Sequence, residues 1–156
     1  MTLDYVSPVK AKGFHPVFKS LLNKRGLSSD KDLDSFFSLS LKELPDLTVL
    51  KDLDLAAHRI VAAIENRETI GIYGDYDVDG TTSCALFYHF FQSIGVQVIL
   101  TQPGRFIEGY GIHPPSIQQA HDQQTKVLIT VDCGITANEA ADYARQIGMD
   151  LIITDH

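Results

Sequence analysis

Three aspartates, Asp75, Asp77 and Asp79, stand at every second position just before Gly80. In an extended chain, residues two apart lie about 6.6 Å from each other, which is too far for three carboxylates to share one cation unless the backbone turns. Gly80 permits such a turn. Carboxylates crowded in this way repel one another and raise each other's pKa, so the arrangement favours neutralisation by cations. This stretch therefore predicts a metal site.

Further acidic residues follow two later apolar runs. Asp132 follows residues 127–131, and Asp155 and His156 follow residues 151–154. Taken alone, Asp155 is explained as a cap for a following helix. Together with the three earlier aspartates, however, these residues form a constellation, because the carboxyl ends of parallel strands lie at one edge of a sheet.

Hydrophobic spacing predicts the elements that position these side chains. Helices are expected over residues 15–24, from Ser29 to about 37, and over 52–66, 84–94, 116–121 and 137–147; strands are expected over 69–74, 96–100, 127–131 and 151–154. Thr81 or Thr82 is the expected cap of the fourth helix, whose nearly continuous apolar surface predicts that it is buried.

The alternation of apolar strands with helices predicts an α/β fold with a parallel, doubly wound, Rossmann-like sheet. An N-terminal helical segment, residues 1–68, is expected to pack on this core. Residues 69–156 are expected to form the first, incomplete part of this α/β domain.

Composition narrows the class of protein. The chain has 156 residues, 44% of them hydrophobic, and a net charge of −7. No apolar run suggests a membrane span, and the isolated Cys84 and Cys133 indicate reduced thiols, so we expect a cytoplasmic protein without a membrane partner. The acidic balance argues against a broad nucleic-acid surface on this segment, although two divalent ions would offset four charges locally.

Two short motifs compete for the acidic stretch. An EF-hand loop beginning at Asp75 would need an acidic ligand where Leu86 stands, and it would need a helix where an apolar strand is predicted. Residues 77–81 also match the phosphatase signature of the haloacid dehalogenase family, in which Asp77 would be a nucleophile and Asp79 an acid or base. That match leaves Asp75 and the later acidic residues unexplained, and we keep it as a minor alternative.

A longer resemblance uses nearly the whole chain. The ordered motifs GDYDVDG (74–80), PGRFIEGYG (103–111), TVDCGIT (130–136) and ITDH (153–156) resemble the DHH phosphoesterase superfamily. Within it, the chain is most similar to the bacterial 5′ exonucleases specific for single-stranded DNA. The resemblance implies metal-dependent hydrolysis of phosphodiesters, with single-stranded DNA as substrate in DNA repair and recombination.

The resemblance also implies roles for individual residues. Asp77 and Asp79 would be metal ligands, Asp132 would bridge two ions and His156 would ligate one. Asp75 would be a further ligand or an acid beside the ligands. The predicted catalytic residues are Asp77, Asp79, Asp132 and His156, and the same residues together with Asp75 are the predicted metal ligands. The expected ions are Mn²⁺ or Mg²⁺, two in the complete protein.

Two metals about 4 Å apart clamp a phosphate and activate water without a protein nucleophile. Oxygen ligands suit both ions, and the imidazole favours manganese. Arg105, and less strongly Tyr110 and His113, are candidate contacts to the phosphates of DNA.

The resemblance leaves other functions open. A pyrophosphatase, a hydrolase of small oligonucleotides and a non-catalytic replication scaffold are the alternatives within the superfamily. A single-stranded-DNA-binding protein or a helicase would be a plausible partner. The superfamily motif continues with a second histidine after His156, so this chain is expected to be an N-terminal fragment that is inactive alone.

Overall fold

The computed structural model describes residues 14–37, 46–103 and 111–156. In chain order the elements are α1 (Pro16–Lys24), α2 (Asp30–Phe37), a 3-10 helix (Leu47–Val49), α3 (Leu53–Glu65), β1 (Thr69–Gly74), α4 (Val78–Ser93), β2 (Val98–Thr101), α5 (Pro114–Asp122), β3 (Thr125–Val131), α6 (Asn138–Gln146) and β4 (Asp150–Thr154). The chain divides between Val49 and Leu50 into two compact units. Each predicted helix and strand is present, with bounds that shift mainly at helix N-termini.

In the first unit, α1 and α2 each bury one leucine, Leu22 and Leu33. The start of α2 is fixed by a reciprocal pair of hydrogen bonds. The amide of Asp32 donates to the Ser29 hydroxyl and the amide of Ser29 donates to the Asp32 carboxylate, both at 3.1 Å. This capping box satisfies two helix N–H groups, as expected from Ser29 in the sequence.

The second unit is built on a four-stranded sheet with the order β2-β1-β3-β4, in which every neighbouring pair is parallel. Strands β1 and β3 lie in the middle and are almost fully buried, in keeping with their continuous apolar sequences. The predicted parallel α/β fold is confirmed.

Helices cover both faces of this sheet. On one face, a core that includes Ala63 of α3 and Phe91 of α4 packs against the central strands. On the other face, a second core includes Ile117 of α5 and Ala144 of α6. The sheet is therefore doubly wound, as predicted.

Helix α4 departs from the prediction that it is buried. Cys84 and Phe91 are buried, but Leu86 and Phe90 are 71% and 55% exposed. Within the described residues, only one face of α4 lies against the sheet, where it contacts β1, β2 and β3. Leu86 and Phe90 are thus apolar but exposed to solvent in this structure.

Helix α3 belongs to the second compact unit, whereas the sequence placed it in a helical segment ending at residue 68. Arg59 of α3 ties the helix to the sheet, because its guanidinium contacts Asp150 at 2.6 Å and Glu68 at 2.7 Å. None of the described helices is both long enough and apolar enough to cross a membrane.

Candidate metal centre

The ends of three neighbouring strands place the predicted acidic residues side by side. In the sheet register, Gly74 of β1 pairs with Val131 of β3, which in turn pairs with Thr154 of β4. Asp75, Asp132 and Asp155 are the next residues on the three strands. Neighbouring strands lie about 4.8 Å apart, so the backbones of these three residues lie close together in one row.

This row lies where the sheet connections change direction. From β1 the chain crosses to β2 on one side, and it then returns to β3 and β4 on the other side. Ligands of open parallel sheets bind at such switch points, outside the carboxyl ends of the strands.

Asp77 is the N-cap of α4. Its Oδ1 accepts a hydrogen bond of 2.9 Å from the Gly80 amide. The prediction that Thr81 or Thr82 caps this helix is wrong, because the helix begins earlier, at Val78. The Thr82 hydroxyl instead donates to the carbonyl of Val78 at 2.8 Å. The cap places the Asp77 carboxylate at the positive end of a 16-residue helix.

Gly80 is required by close packing. A Cβ atom at this position would lie 2.4 Å from the carbonyl oxygen and 2.7 Å from the nitrogen of Asp75. Such contacts are far inside van der Waals separation, so only glycine lets the first turn of α4 lie on the end of β1. The sequence indicated a turn at Gly80, but the structure shows an approach of two backbones.

Asp75 lies beneath this turn and is 2% exposed. Its Oδ1 has no hydrogen-bond donor among the described residues. Gln102, which follows β2, donates to the carbonyl of Asp75 at 3.1 Å and to the Thr81 hydroxyl at 3.3 Å. A buried carboxylate oxygen without a donor is costly, so a cation next to it would be stabilising.

Asp132 has an uncommon backbone conformation, with φ of 60°. Its amide donates to the Thr154 carbonyl at 2.9 Å, which links the ends of β3 and β4. Burial is the largest cause that raises the pKa of Asp132, followed by the negative charge of Asp77. A hydrogen bond with Asp77 and the charge of Asp79 raise this pKa further, and only His156 opposes them.

His156 and Asp155 complete the cluster. The His156 Nε2 atom lies 3.4 Å from Oδ1 of Asp132. Asp132, Asp155 and His156 each offer one ligand atom, and these atoms lie within 4.8 Å of one another. The sequence placed Asp155 in the constellation of acidic strand ends, with a helix cap as its explanation when taken alone; in the structure its Oδ2 accepts from the amide of Ile135 at 2.8 Å, across the loop after β3. The sequence feature that indicates a role for Asp155 in this site is its position next to His156.

The donor set fits a hard divalent cation. Asp77 and Asp79 raise the pKa of the neighbouring Asp132, and these carboxylates with one imidazole beside them match the oxygen-rich ligands of Mg²⁺ and Mn²⁺. The strand that precedes the aspartates excludes an EF-hand, which needs a helix there. Cys133, next to Asp132, is fully buried, and burial together with nearby carboxylates raises its pKa to about 12. It is therefore a neutral packing thiol at physiological pH.

A groove of about 590 Å³ adjoins the cluster. Asp155 and His156 lie in its wall together with His113, the residue at the start of α5, and Asn138 and Glu139 at the start of α6. The structure therefore brings His113 to the same groove as His156. Arg105 and Tyr110, the other candidate substrate contacts, lie outside the described residues.

Comparison with known families identifies residues 69–156 as a match to the DHH family, N-terminal domain. Among curated proteins, the single-stranded-DNA-specific exonuclease RecJ of Bacillus subtilis is 39% identical over 141 residues, which are 90% of this chain and 18% of that protein. RecJ of Escherichia coli is 32% identical over 142 residues, 90% of this chain and 24% of that protein. The chain thus spans about a fifth of the length of these curated relatives.

Solved structures give the same likeness. The structure of an exonuclease RecJ bound to manganese matches with a TM-score of 0.65 and 33% identity, over 72% of this chain and 29% of that one. The structure of RecJ from Thermus thermophilus in complex with Mn²⁺ matches with a TM-score of 0.59 and 29% identity, over 71% of this chain and 15% of that one. These relatives belong to the branch of exonucleases that the sequence motifs indicated.

Proposed function

Because this chain belongs to the DHH family, we propose that the protein carrying it degrades single-stranded DNA from the 5′ end by metal-dependent phosphodiester hydrolysis. The proposed ions are Mn²⁺ or Mg²⁺. A cytoplasmic role in DNA repair and recombination, with a single-stranded-DNA-binding protein or a helicase as partner, forms part of this proposal.

The observation that carries the proposal is the meeting of Asp77, Asp132 and His156 at the switch point of the sheet. Asp77 and Asp132 come from different strand ends yet interact directly enough to raise the pKa of Asp132. His156 comes from a third strand end and lies beside Asp132. Such a convergence of like charges is unfavourable unless cations neutralise it.

In this site the protein's own groups would bind and orient. Asp77, Asp79, Asp132 and His156 would hold the ions, with Asp75 beneath them. When bound, divalent ions supply positive charge that polarises a phosphate and stabilises the charge that develops during hydrolysis.

The fixed backbone limits how far the ligands can move. Asp77 is held by the amide of Gly80, and the backbone of Asp132 is held by Thr154. Little reorganisation is then needed as charge develops, which is the condition for electrostatic catalysis. The positive end of α4 also favours an anionic substrate at this edge.

The adjoining groove supports a polymeric phosphate substrate. Its lining includes His156, His113 and the first turn of α6, where backbone N–H groups favour anions. Recognition of DNA by a segment with a net charge of −7 would depend on the ions for much of its attraction.

The test compares hydrolysis of 5′-labelled single-stranded DNA by the protein carrying this chain and by its Asp77→Asn variant, with Mn²⁺. Asparagine caps helices as well as aspartate does, so α4 is retained, whereas Asp77→Ala would also lose about 1 kcal/mol of capping. We expect a loss of more than about 100-fold, beyond the 10–100-fold typical of residues that only support a ligand. Asp142→Asn, in an exposed surface pair with Arg145, is the matched control and should retain activity.

Undiminished cleavage by Asp77→Asn would contradict the proposed site. Efficient hydrolysis of pyrophosphate or of short oligonucleotides with inert long DNA would favour those branches of the superfamily. Inertness toward all three substrates, with tight binding of a replication protein, would favour a scaffold. Trapping of an aspartyl-phosphate on Asp77 would instead indicate the dehalogenase mechanism.

A further inference from the structure

The proposed ligand Asp132 opens the loop after β3 and His156 follows the end of β4, and three hydrogen bonds involve the residues at these two strand ends. The amide of Asp132 donates to the Thr154 carbonyl at 2.9 Å. The amide of Ile135 donates to Oδ2 of Asp155 at 2.8 Å, and the amide of His156 donates to Oδ1 of Asp155 at 2.9 Å. Both carboxylate oxygens of Asp155 therefore accept backbone N–H groups, one from the loop after β3 and one from the adjacent His156.

The loop after β3 needs such a restraint. Asp132 has φ of 60° and Gly134 has φ of 112°, so two of its first three residues adopt backbone conformations that most residues avoid. Non-glycine residues in this region persist only where surrounding contacts hold them. Asp155 supplies one such contact from outside the loop, through a charge-assisted hydrogen bond of the stronger kind.

We propose that Asp155 is a positioning residue, whose carboxylate joins the loop after β3 to the end of β4 and so holds Asp132 and His156 at the spacing that a cation requires. This inference rests on the proposed function. Asp155 lies close enough to Asp132 and His156 to be a ligand itself. Its two oxygens are, however, already directed at backbone donors, and the bond to Ile135 spans 20 residues of chain.

The substitution Asp155→Asn separates these roles. Asparagine has one acceptor oxygen, so it can satisfy only one of the two amides, and its NH₂ group would face the other donor. Asp155 is partly exposed and the size of the side chain is unchanged, so the fold should be retained. Thermal unfolding verifies this; if the variant does not fold, Asp155→Ser, which also retains a single acceptor oxygen, replaces it.

The first measurement is amide hydrogen exchange of the metal-free chain. We expect exchange at Ile135 to accelerate by roughly tenfold or more in Asp155→Asn, since its hydrogen bond to a charged acceptor is either lost or replaced by a weaker bond to a neutral amide oxygen. Exchange at Ile129, in the middle of β3, should not change. Unchanged exchange at Ile135 would overturn the proposal, and this readout is independent of metal binding and of nuclease activity.

The second measurement is a titration with Mn²⁺, followed by electron paramagnetic resonance. A positioning role predicts the parent's number of bound ions with affinity weakened about 10–100-fold. Loss of an ion, as expected for Asp132→Asn, would show that Asp155 is a ligand and would overturn the proposal. If the parent binds Mn²⁺ but neither the parent nor any variant cleaves single-stranded DNA, the proposed function fails. The exchange and titration results then still decide the role of Asp155.

Discussion

Asp132 combines an uncommon backbone conformation with an unfavourable electrostatic position. Its φ of 60° is tolerated by aspartate and asparagine better than by other non-glycine residues. Burial and the negative charge of Asp77 raise its pKa. We therefore expect the ionised Asp132 carboxylate at the switch point to reduce the stability of the metal-free protein.

Asp132→Asn should raise the melting temperature of the metal-free chain at neutral pH, because it removes the charge and keeps the backbone preference. The direction of this change follows from the linkage between protonation of the carboxyl group and folding. A carboxyl group with a raised folded-state pKa contributes most stability below its ordinary pKa and loses that contribution as pH rises through the raised value. The difference between variant and parent should therefore be smaller at about pH 4 than at about pH 7. Thermal unfolding in a chelator measures this, and an equal difference at both pH values would contradict it.

Gly80→Ala tests the approach of α4 to β1. The new methyl group would meet the backbone of Asp75 at 2.4 Å, and backbone yields less easily than a flexible side chain. We expect a loss of about 1–3 kcal/mol in the free energy of unfolding, typical of overpacking. Thr82→Ala is the control, since this exposed hydroxyl bonds only carbonyls of its own helix. Denaturant unfolding of both variants gives the comparison, and equal stability of the two would contradict the argument.

For single residues, the sequence identified the acidic side chains but not their hydrogen-bond partners. The spacing of Asp75, Asp77 and Asp79 was sufficient to predict a metal site. The capping role of Asp77 is local, since Gly80 is three residues away, and it was missed because α4 was expected to begin later; the link from Asp155 to Ile135 depends on tertiary geometry. No local pattern marks a carboxylate that accepts an amide 20 residues earlier in the chain.

Arg59 is the clearest connection between a helix and the sheet. Its side chain is 27% exposed, and it contacts Asp150 at the start of β4 and Glu68 just before β1. Because one planar guanidinium serves both carboxylates, this geometry is stronger than that of an isolated surface pair.

Arg59→Ala should lower the free energy of unfolding by about 1 kcal/mol. Arg59→Lys should recover little of this, since an ammonium group lacks the planar fork that reaches two carboxylates. Arg145→Ala provides the comparison, because its pair with Asp142 is 79% and 63% exposed and should contribute within about 0.5 kcal/mol. Equal effects of the Arg59→Ala and Arg145→Ala variants in urea unfolding would contradict the anchoring role.

Helix and strand identity followed from hydrophobic periodicity, because the strands are continuous apolar runs and the helices have one apolar face. The prediction was wrong about burial of α4. Its apolar residues occur nearly all round the helix, but Leu86 and Phe90 are exposed. Periodicity therefore identified the element without locating its neighbours.

At the scale of the whole chain, strand order decides whether a site forms. Alternating strands and helices predict a parallel sheet, but they do not specify that β1 lies between β2 and β3. That order makes the three strands with acidic ends immediate neighbours. Asp75, Asp132 and Asp155 would not share one edge in this way if β2 lay between β1 and β3.

The second compact unit contains both cores of the sheet and all the proposed ligands. We expect a chain of residues 50–156 to unfold in a single cooperative transition and to bind Mn²⁺ as the 156-residue chain does. Calorimetry and a Mn²⁺ titration of both chains make the comparison. A broad, non-cooperative transition would show that residues 1–49 are needed for the fold of this unit.

The most direct test of the account is anomalous diffraction at the manganese edge from crystals of the chain grown with Mn²⁺. The account predicts a peak within bonding distance of carboxylate oxygens of Asp77 and Asp132 and the imidazole of His156, and its loss in crystals of the Asp132→Asn variant. A peak bound without Asp77 and Asp132, or full occupancy in the variant, would contradict the proposal that these strand ends form the metal centre.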